Sequence, residues 1–193
     1  RATRMTADER RQAIVESTLP LLLKQGPDLS TREIAAASGV AEGTIFRVFD
    51  TKDELIEAVI EAATRPTATL AALAALGPQT LEERTESVLE ILTGDVRRIR
   101  SIFSHLARAG VQPHHPPKPP HAGHHDGRAL VIAATATAFE DYADQLTVPT
   151  ETVARLLSAL SFASSFAVTS TDTPPSPEAL ASLVLHGIAK GEK

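Results

Sequence analysis

LSTREIAAASGVAEGTIFRVFDTKDELIEAV, residues 29–59, sets two short helical signatures either side of one glycine. Ser30-Thr31-Arg32-Glu33 has the Ser-x-x-Glu spacing of a capping box, in which each end residue satisfies a free N–H of the other, so a helix starts there. It runs to about Ser38, and Gly39 is placed to turn the chain. A second helix covers about Ala41–Phe49, and Lys52 to about Thr64 reads as a third. Ile34, Ala35, Val40, Ile45 and Phe49 can close a small core, while small Ala35 and Gly39 let the helices cross closely. Two short helices joined by a Gly-containing turn form a helix-turn-helix. The second helix then exposes Ala41, Glu42, Gly43, Thr44, Phe46 and Arg47, small at its N-terminal end, as a helix approaching base edges requires. Taken alone, the same pattern also suits an αα-corner inside a core.

Outward from this stretch the chain reads as all-α. It has 193 residues, 42% hydrophobic and 4% aromatic, with no Cys. The absence of Cys excludes a disulfide scaffold, a thiolate zinc site and a Cys nucleophile. Ala- and Leu-rich segments of helical length, separated by Gly and Pro, favour about nine or ten helices. The first covers about Ala7–Gln25, with Pro20 expected to bend it. Later ones fall near 67–76, 80–93, 95–110, 128–147, 150–171 and 177–190. No apolar run is long enough to span a membrane and the N-terminus lacks a signal-peptide core, so the expected location is cytoplasmic, with no membrane partner.

Residues 29–59 resemble the DNA-binding segment of the TetR family of bacterial transcription regulators. They share its Ile-Ala pair, Gly-Val at the turn, Gly-Thr-aliphatic-aromatic on the recognition helix, then Phe, Lys and Glu-Leu. The remaining chain agrees only in length and helical pattern. The resemblance implies an N-terminal helix-turn-helix domain over 1–52 and an effector-binding and dimerisation domain over 53–193. It implies a homodimer that binds a palindromic double-stranded DNA operator, acts as a repressor, and is released by a small-molecule effector. A helical sensor without DNA recognition is the alternative.

The resemblance also implies roles. Thr31 and Lys52 match phosphate-binding positions, and a helix N-terminus such as that at Thr31 favours anions. Arg32 can reach phosphate or a guanine edge, Glu42 can accept from a cytosine amino group, and Thr44 can pack its methyl on thymine. Phe46 stands where the family usually has Tyr, so a phenolic phosphate bond is lost, and Arg47 beside it offers a replacement. Arg1, Arg4, Arg10 and Arg11 form a basic arm and first-helix face that either touches phosphate or is solvated. In the family the last two helices of each subunit make a four-helix dimer bundle. Leu156, Leu160, Ala163, Ala167, Leu180, Leu183 and Val184 suit that role.

Phe103, Leu106, Phe139, Tyr142, Phe162 and Phe166 are the candidate lining of an effector cavity, apolar enough for a lipophilic ligand. Residues 113–127, PHHPPKPPHAGHHDG, hold five of the seven His. Pro-rich sequence holds no fixed ligand geometry, so an exposed loop is expected there, with no resident metal and no cofactor. Enzyme signatures are absent, and Glu140, Asp141 and Asp144 read as a solvated face rather than a catalytic pair. The net charge of −5 is uneven. Up to Ile56, eight basic residues stand against nine acidic ones (net −1), and the remainder has 11 against 15 (net −4). The acidity therefore belongs mainly to the effector half and does not exclude DNA.

Overall fold

A computed structural model describes residues 5–110, 127–165 and 175–186. Among them the regular elements are helices: α1 (Ala7–Gln25), α2 (Thr31–Ser38), α3 (Glu42–Val48), α4 (Lys52–Thr64), α5 (Thr67–Ala74), α6 (Leu81–Arg108), α7 (Gly127–Thr137), α8 (Thr150–Ser165) and α9 (Pro177–His186). Two 3₁₀ turns, Gly26–Asp28 and Glu140–Gln145, complete the described elements. The protein is an all-α chain with an N-terminal helix-turn-helix followed by further helices.

Three helix starts use one device. Thr6, Ser30 and Thr80 each accept from the backbone N–H three residues on, and Glu9, Glu33 and Glu83 each accept from the backbone N–H of the cap residue. Each carboxylate is held below the usual carboxylate range. The backbone bond contributes most at Glu9 and Glu83, the Ser30 hydroxyl most at Glu33.

Packing divides the chain into two compact units. One contains the described residues of 1–65 and 99–116, the other those of 66–98 and 117–193. The first closes around Ile14, Leu22, Leu29, Ile34, Ile45, Phe49, Leu55 and Val59, with Leu106. Leu55 and Val59 are fully buried there, so α4 packs with the first three helices. α1 ends at Gly26, whose φ of 75° is left-handed; a Cβ there would run into the Ala109 carbonyl oxygen. α1 passes through Pro20 unbroken. Pro20 and Glu16, whose carbonyl loses its helical donor, are both exposed, so water can satisfy the freed oxygen.

The second unit packs Leu73, Val88, Leu89, Leu92, Phe139, Tyr142, Val153, Leu157, Leu180 and Ala181 together. Two sequence expectations change here. The segments 80–93 and 95–110 are one helix, α6, because burial along it outweighs the ~1 kcal/mol that Gly94 costs a helix interior. The segment 128–147 is not one helix: α7 stops at Thr137 and a 3₁₀ turn follows. In a 3₁₀ turn residues three apart point the same way. Phe139 and Tyr142 thereby both enter the core, ring centres 6.4 Å apart and edge-on. The Tyr142 hydroxyl donates to the Gln79 carbonyl at 2.6 Å, and buried Arg84 donates to the Gly77 carbonyl at 2.6 Å, so both hold the approach to α6. Residues 166–171 and 187–190, expected in the last two helices, lie outside the described residues.

Candidate nucleic-acid interface

The capping box at Ser30 and Glu33 starts α2, and Gly39 ends it in the left-handed region at φ 66°. The Gly39 N–H bonds to the Ala36 carbonyl and the Val40 N–H to the Ala35 carbonyl. This doubly bonded cap needs a positive φ that glycine adopts without strain. It aims the chain from α2 into α3 within three residues. Ile34 and Ala35 of α2 and Ile45 of α3 are buried, as is Phe49 just past α3. On α1, Ser17 shares a 2.6 Å hydrogen bond with Ser38, which ties the end of α2 to the first helix.

α3 is held from its C-terminal end by Arg11. Its guanidinium lies 4.3 Å from the Phe49 ring centre, donates to the Val48 carbonyl, and pairs with Glu54 at 3.2 Å. Glu54 in turn accepts from the Asp50 backbone N–H at 2.7 Å and closes the turn into α4. Arg10 donates to the Met5 carbonyl. Of the proposed basic arm, Arg11 is thus engaged in fixing α3, and Arg1 and Arg4 lie outside the described residues.

Burial of Ile45 and Phe49 fixes which side of α3 turns outward. Ala41, Glu42, Gly43, Phe46 and Arg47 are exposed and Thr44 is half-buried. Phe46 is 54% exposed, so its ring is surface and not core. Among the described residues a Cβ added at Gly43 would meet nothing within 4 Å. Packing against them therefore does not demand glycine there. Arg32 is exposed on α2; Thr31 and Lys52, at the first positions of α2 and α4, are half-buried. Two of these residues meet: the Thr31 hydroxyl donates to Glu42 Oε1 at 2.6 Å. That link spans the turn, and nothing in the sequence announces it. Arg11 and Glu54 were likewise invisible as a pair, 43 residues apart in the chain.

The six residues expected to line an effector cavity divide between the two units. Phe139 and Tyr142 meet in the core of the second unit, whereas Leu106 packs in the core of the first. Phe103 and Phe162 are 41% and 58% exposed, and Phe166 lies outside the described residues. Helical phase explains Phe162: Val153, Leu157 and Ser161 take the buried side of α8, which leaves Leu156, Phe162 and Ala163 on the outer side. Of the other residues expected at a dimer interface, Leu183 is exposed, Leu160 and Val184 are half-buried, and Leu180 is buried. Ala167 lies outside the described residues. The His-rich stretch lies outside them too, apart from Gly127. Among the described residues no group of three His, Cys, Asp or Glu could hold a metal, and no helix is long and apolar enough to cross a membrane. Glu140, Asp141 and Asp144 are exposed.

Residues 14–59 match the family model described as bacterial regulatory proteins, tetR family. The chain is 41% identical over 56 residues to HTH-type transcriptional regulator SAR0097 of Staphylococcus aureus (strain MRSA252). That match spans 28% of this chain and 29% of the relative. Among solved structures, a TetR-family transcriptional regulator from Pectobacterium atrosepticum superposes with a TM-score of 0.54 at 16% identity, covering 95% of this chain and 94% of that one. Salmonella enterica GusR gives 0.52 at 18% identity, over 92% and 95%. At such identities these likenesses show the fold.

Proposed function

Residues 14–59 match the tetR-family model, and from that match we propose that the chain is a TetR-family transcription regulator, a repressor that binds a palindromic operator as a homodimer. The observation that carries this is the outward face of α3. Its glycine has open space and its phenylalanine and arginine are exposed, on a helix locked from behind by Arg11 and Glu54. α3 enters a major groove, with Gly43 and Ala41 allowing close approach, Thr44 and Glu42 at base edges, and Phe46 against the sugar-phosphate backbone. Thr31, Arg32, Arg47 and Lys52 contact phosphate. The operator half-sites lie about 34 Å apart, or a multiple of this, to match two α3 helices.

The first domain, 1–52 by role, reads DNA, and residues 53–193 bind effector and dimerise. Dimerisation uses the outer faces of α8 and α9, where Leu156, Phe162 and Leu183 are large apolar groups left exposed. The effector is a small, mainly apolar molecule with at least one hydrogen-bonding group. Among the described residues, the buried atoms Arg84 Nε, Thr135 Oγ1 and Ser161 Oγ of the second unit have no protein partner and are available to one. Effector binding shifts the dimer towards a spacing of the two α3 helices that no longer fits the operator. A coupling on the order of 1–3 kcal/mol suffices.

The test is selection of duplexes from a randomised library, followed by fluorescence anisotropy on the enriched duplex. Thr44→Ala, Arg47→Ala and Lys52→Ala are each expected to weaken binding. Wild-type affinity in all three, or no enrichment by the wild type, would overturn the assignment.

A further inference from the structure

The hydrogen bond from Thr31 to Glu42 joins two residues of the proposed reading surface to each other. They occupy the first positions of α2 and α3. A hydroxyl carries one proton. While Thr31 gives it to Glu42, none remains for a phosphate oxygen, and a carboxylate lies 2.6 Å from the hydroxyl. Among the described residues the Glu42 carboxylate makes no other hydrogen bond or ion pair. Ala41, the cap residue of α3, has no side chain able to hold that end of the helix by a hydrogen bond. One exposed link thus holds the carboxylate, and a better donor can displace it.

We propose that Glu42 is a specificity-determining residue that acts through Thr31. On a duplex that presents a cytosine amino group to α3, the Glu42 carboxylate accepts from that N–H, as carboxylates do at cytosine edges. Thr31 is then released, and its hydroxyl donates to phosphate. At any other base the carboxylate stays on Thr31, so the phosphate bond is not made and a negative charge faces the backbone. The base contact and the phosphate contact are gained together or not at all. The inference rests on the DNA-binding reading above and adds to it a coupling between two positions.

The experiment is duplex selection with the wild-type protein and with Glu42→Ala, then anisotropy with Thr31→Val made in both backgrounds. Three probes are used: the enriched duplex, the same duplex with its cytosine replaced, and a random-sequence duplex. The wild type is expected to enrich a cytosine in each half-site and to lose about tenfold in affinity when it is replaced, whereas Glu42→Ala is indifferent to it. On the random duplex Glu42→Ala is expected to bind several-fold tighter than wild type. There Thr31→Val weakens the Glu42→Ala protein about three- to tenfold, and the wild type clearly less. Glu42 is exposed and Thr31 half-buried, neither in a buried core cluster, and unchanged helical content and thermal midpoint accompany these effects. An equal effect of Thr31→Val in both backgrounds, or a cytosine preference kept by Glu42→Ala, overturns the coupling. If either occurs while Arg47→Ala still weakens binding, the DNA-binding reading stands and only the coupling falls. If the wild type enriches no duplex, both fall.

Discussion

The Arg11 guanidinium stacks 4.3 Å from the centre of the Phe49 ring while its Nη1 reaches both the Val48 carbonyl and the Glu54 carboxylate. One side chain of α1 therefore holds the end of α3 and the start of α4 together. An exposed ion pair contributes at most about 1 kcal/mol, and a cation above an aromatic face about 0.5–1 kcal/mol. Arg11→Ala is expected to cost about 1–2 kcal/mol in urea unfolding and to weaken DNA binding more than that loss alone would, since α3 loses its fixed end. Arg11→Lys keeps the charge but not the planar stack, and falls between.

Two glycines separate packing from recognition. Gly43→Ala adds a methyl into open space on a helix, where Ala is favoured over Gly by up to about 1 kcal/mol. The expected outcome is equal or higher thermal stability with weaker binding to the selected duplex. Gly26→Ala, in contrast, places a methyl on the Ala109 carbonyl at a left-handed φ, and is expected to cost more than about 2 kcal/mol.

The three capping glutamates set an acid limit on the fold. Glu9, Glu33 and Glu83 have carboxyls held below the usual range by their Thr or Ser partners. A group depressed in the folded state contributes stability above its unfolded value, and that contribution is lost as pH falls through the folded one. Unfolding free energy is therefore expected to decline as pH is lowered below about 4.5. Carboxyl NMR titration of Ser30→Ala would find Glu33 moved up towards the ordinary range, with the backbone N–H of residue 30 still holding it partly down, and a cap loss of about 1 kcal/mol.

The outer face of α8 tests the assembly. Leu156 and Phe162 are 47% and 58% exposed and are not among the buried core residues of the second unit. Light scattering is expected to give a dimer for the wild type and a monomer for the double substitution Leu156→Glu with Phe162→Glu at unchanged helical content. A monomeric wild type would reject the dimer.

Local signals carried the sequence reading furthest. The Ser30–Glu33 spacing, Gly39 and the Ile34/Ile45/Phe49 pattern placed α2, the turn and α3 nearly to the residue, because each rests on contacts within a few positions. The break expected at Gly94 failed because propensity is a weak force beside burial. The turn after Thr137 was hidden because Phe139 and Tyr142 fit either a 3.6- or a 3-residue period. At the proposed interface, exposure of Gly43, Phe46 and Arg47 followed from helix phase. The Thr31–Glu42 and Arg11–Glu54 links did not, since pairs 11 and 43 residues apart leave no periodic trace.

The repeated Ser/Thr-x-x-Glu starts of α1, α2 and α6 have an evolutionary corollary. Each fixes where a helix begins through atoms four residues apart at most, without reference to what the helix later packs against. A lineage with such starts can exchange the apolar residues that these three helices pack against while each helix still begins at the same residue.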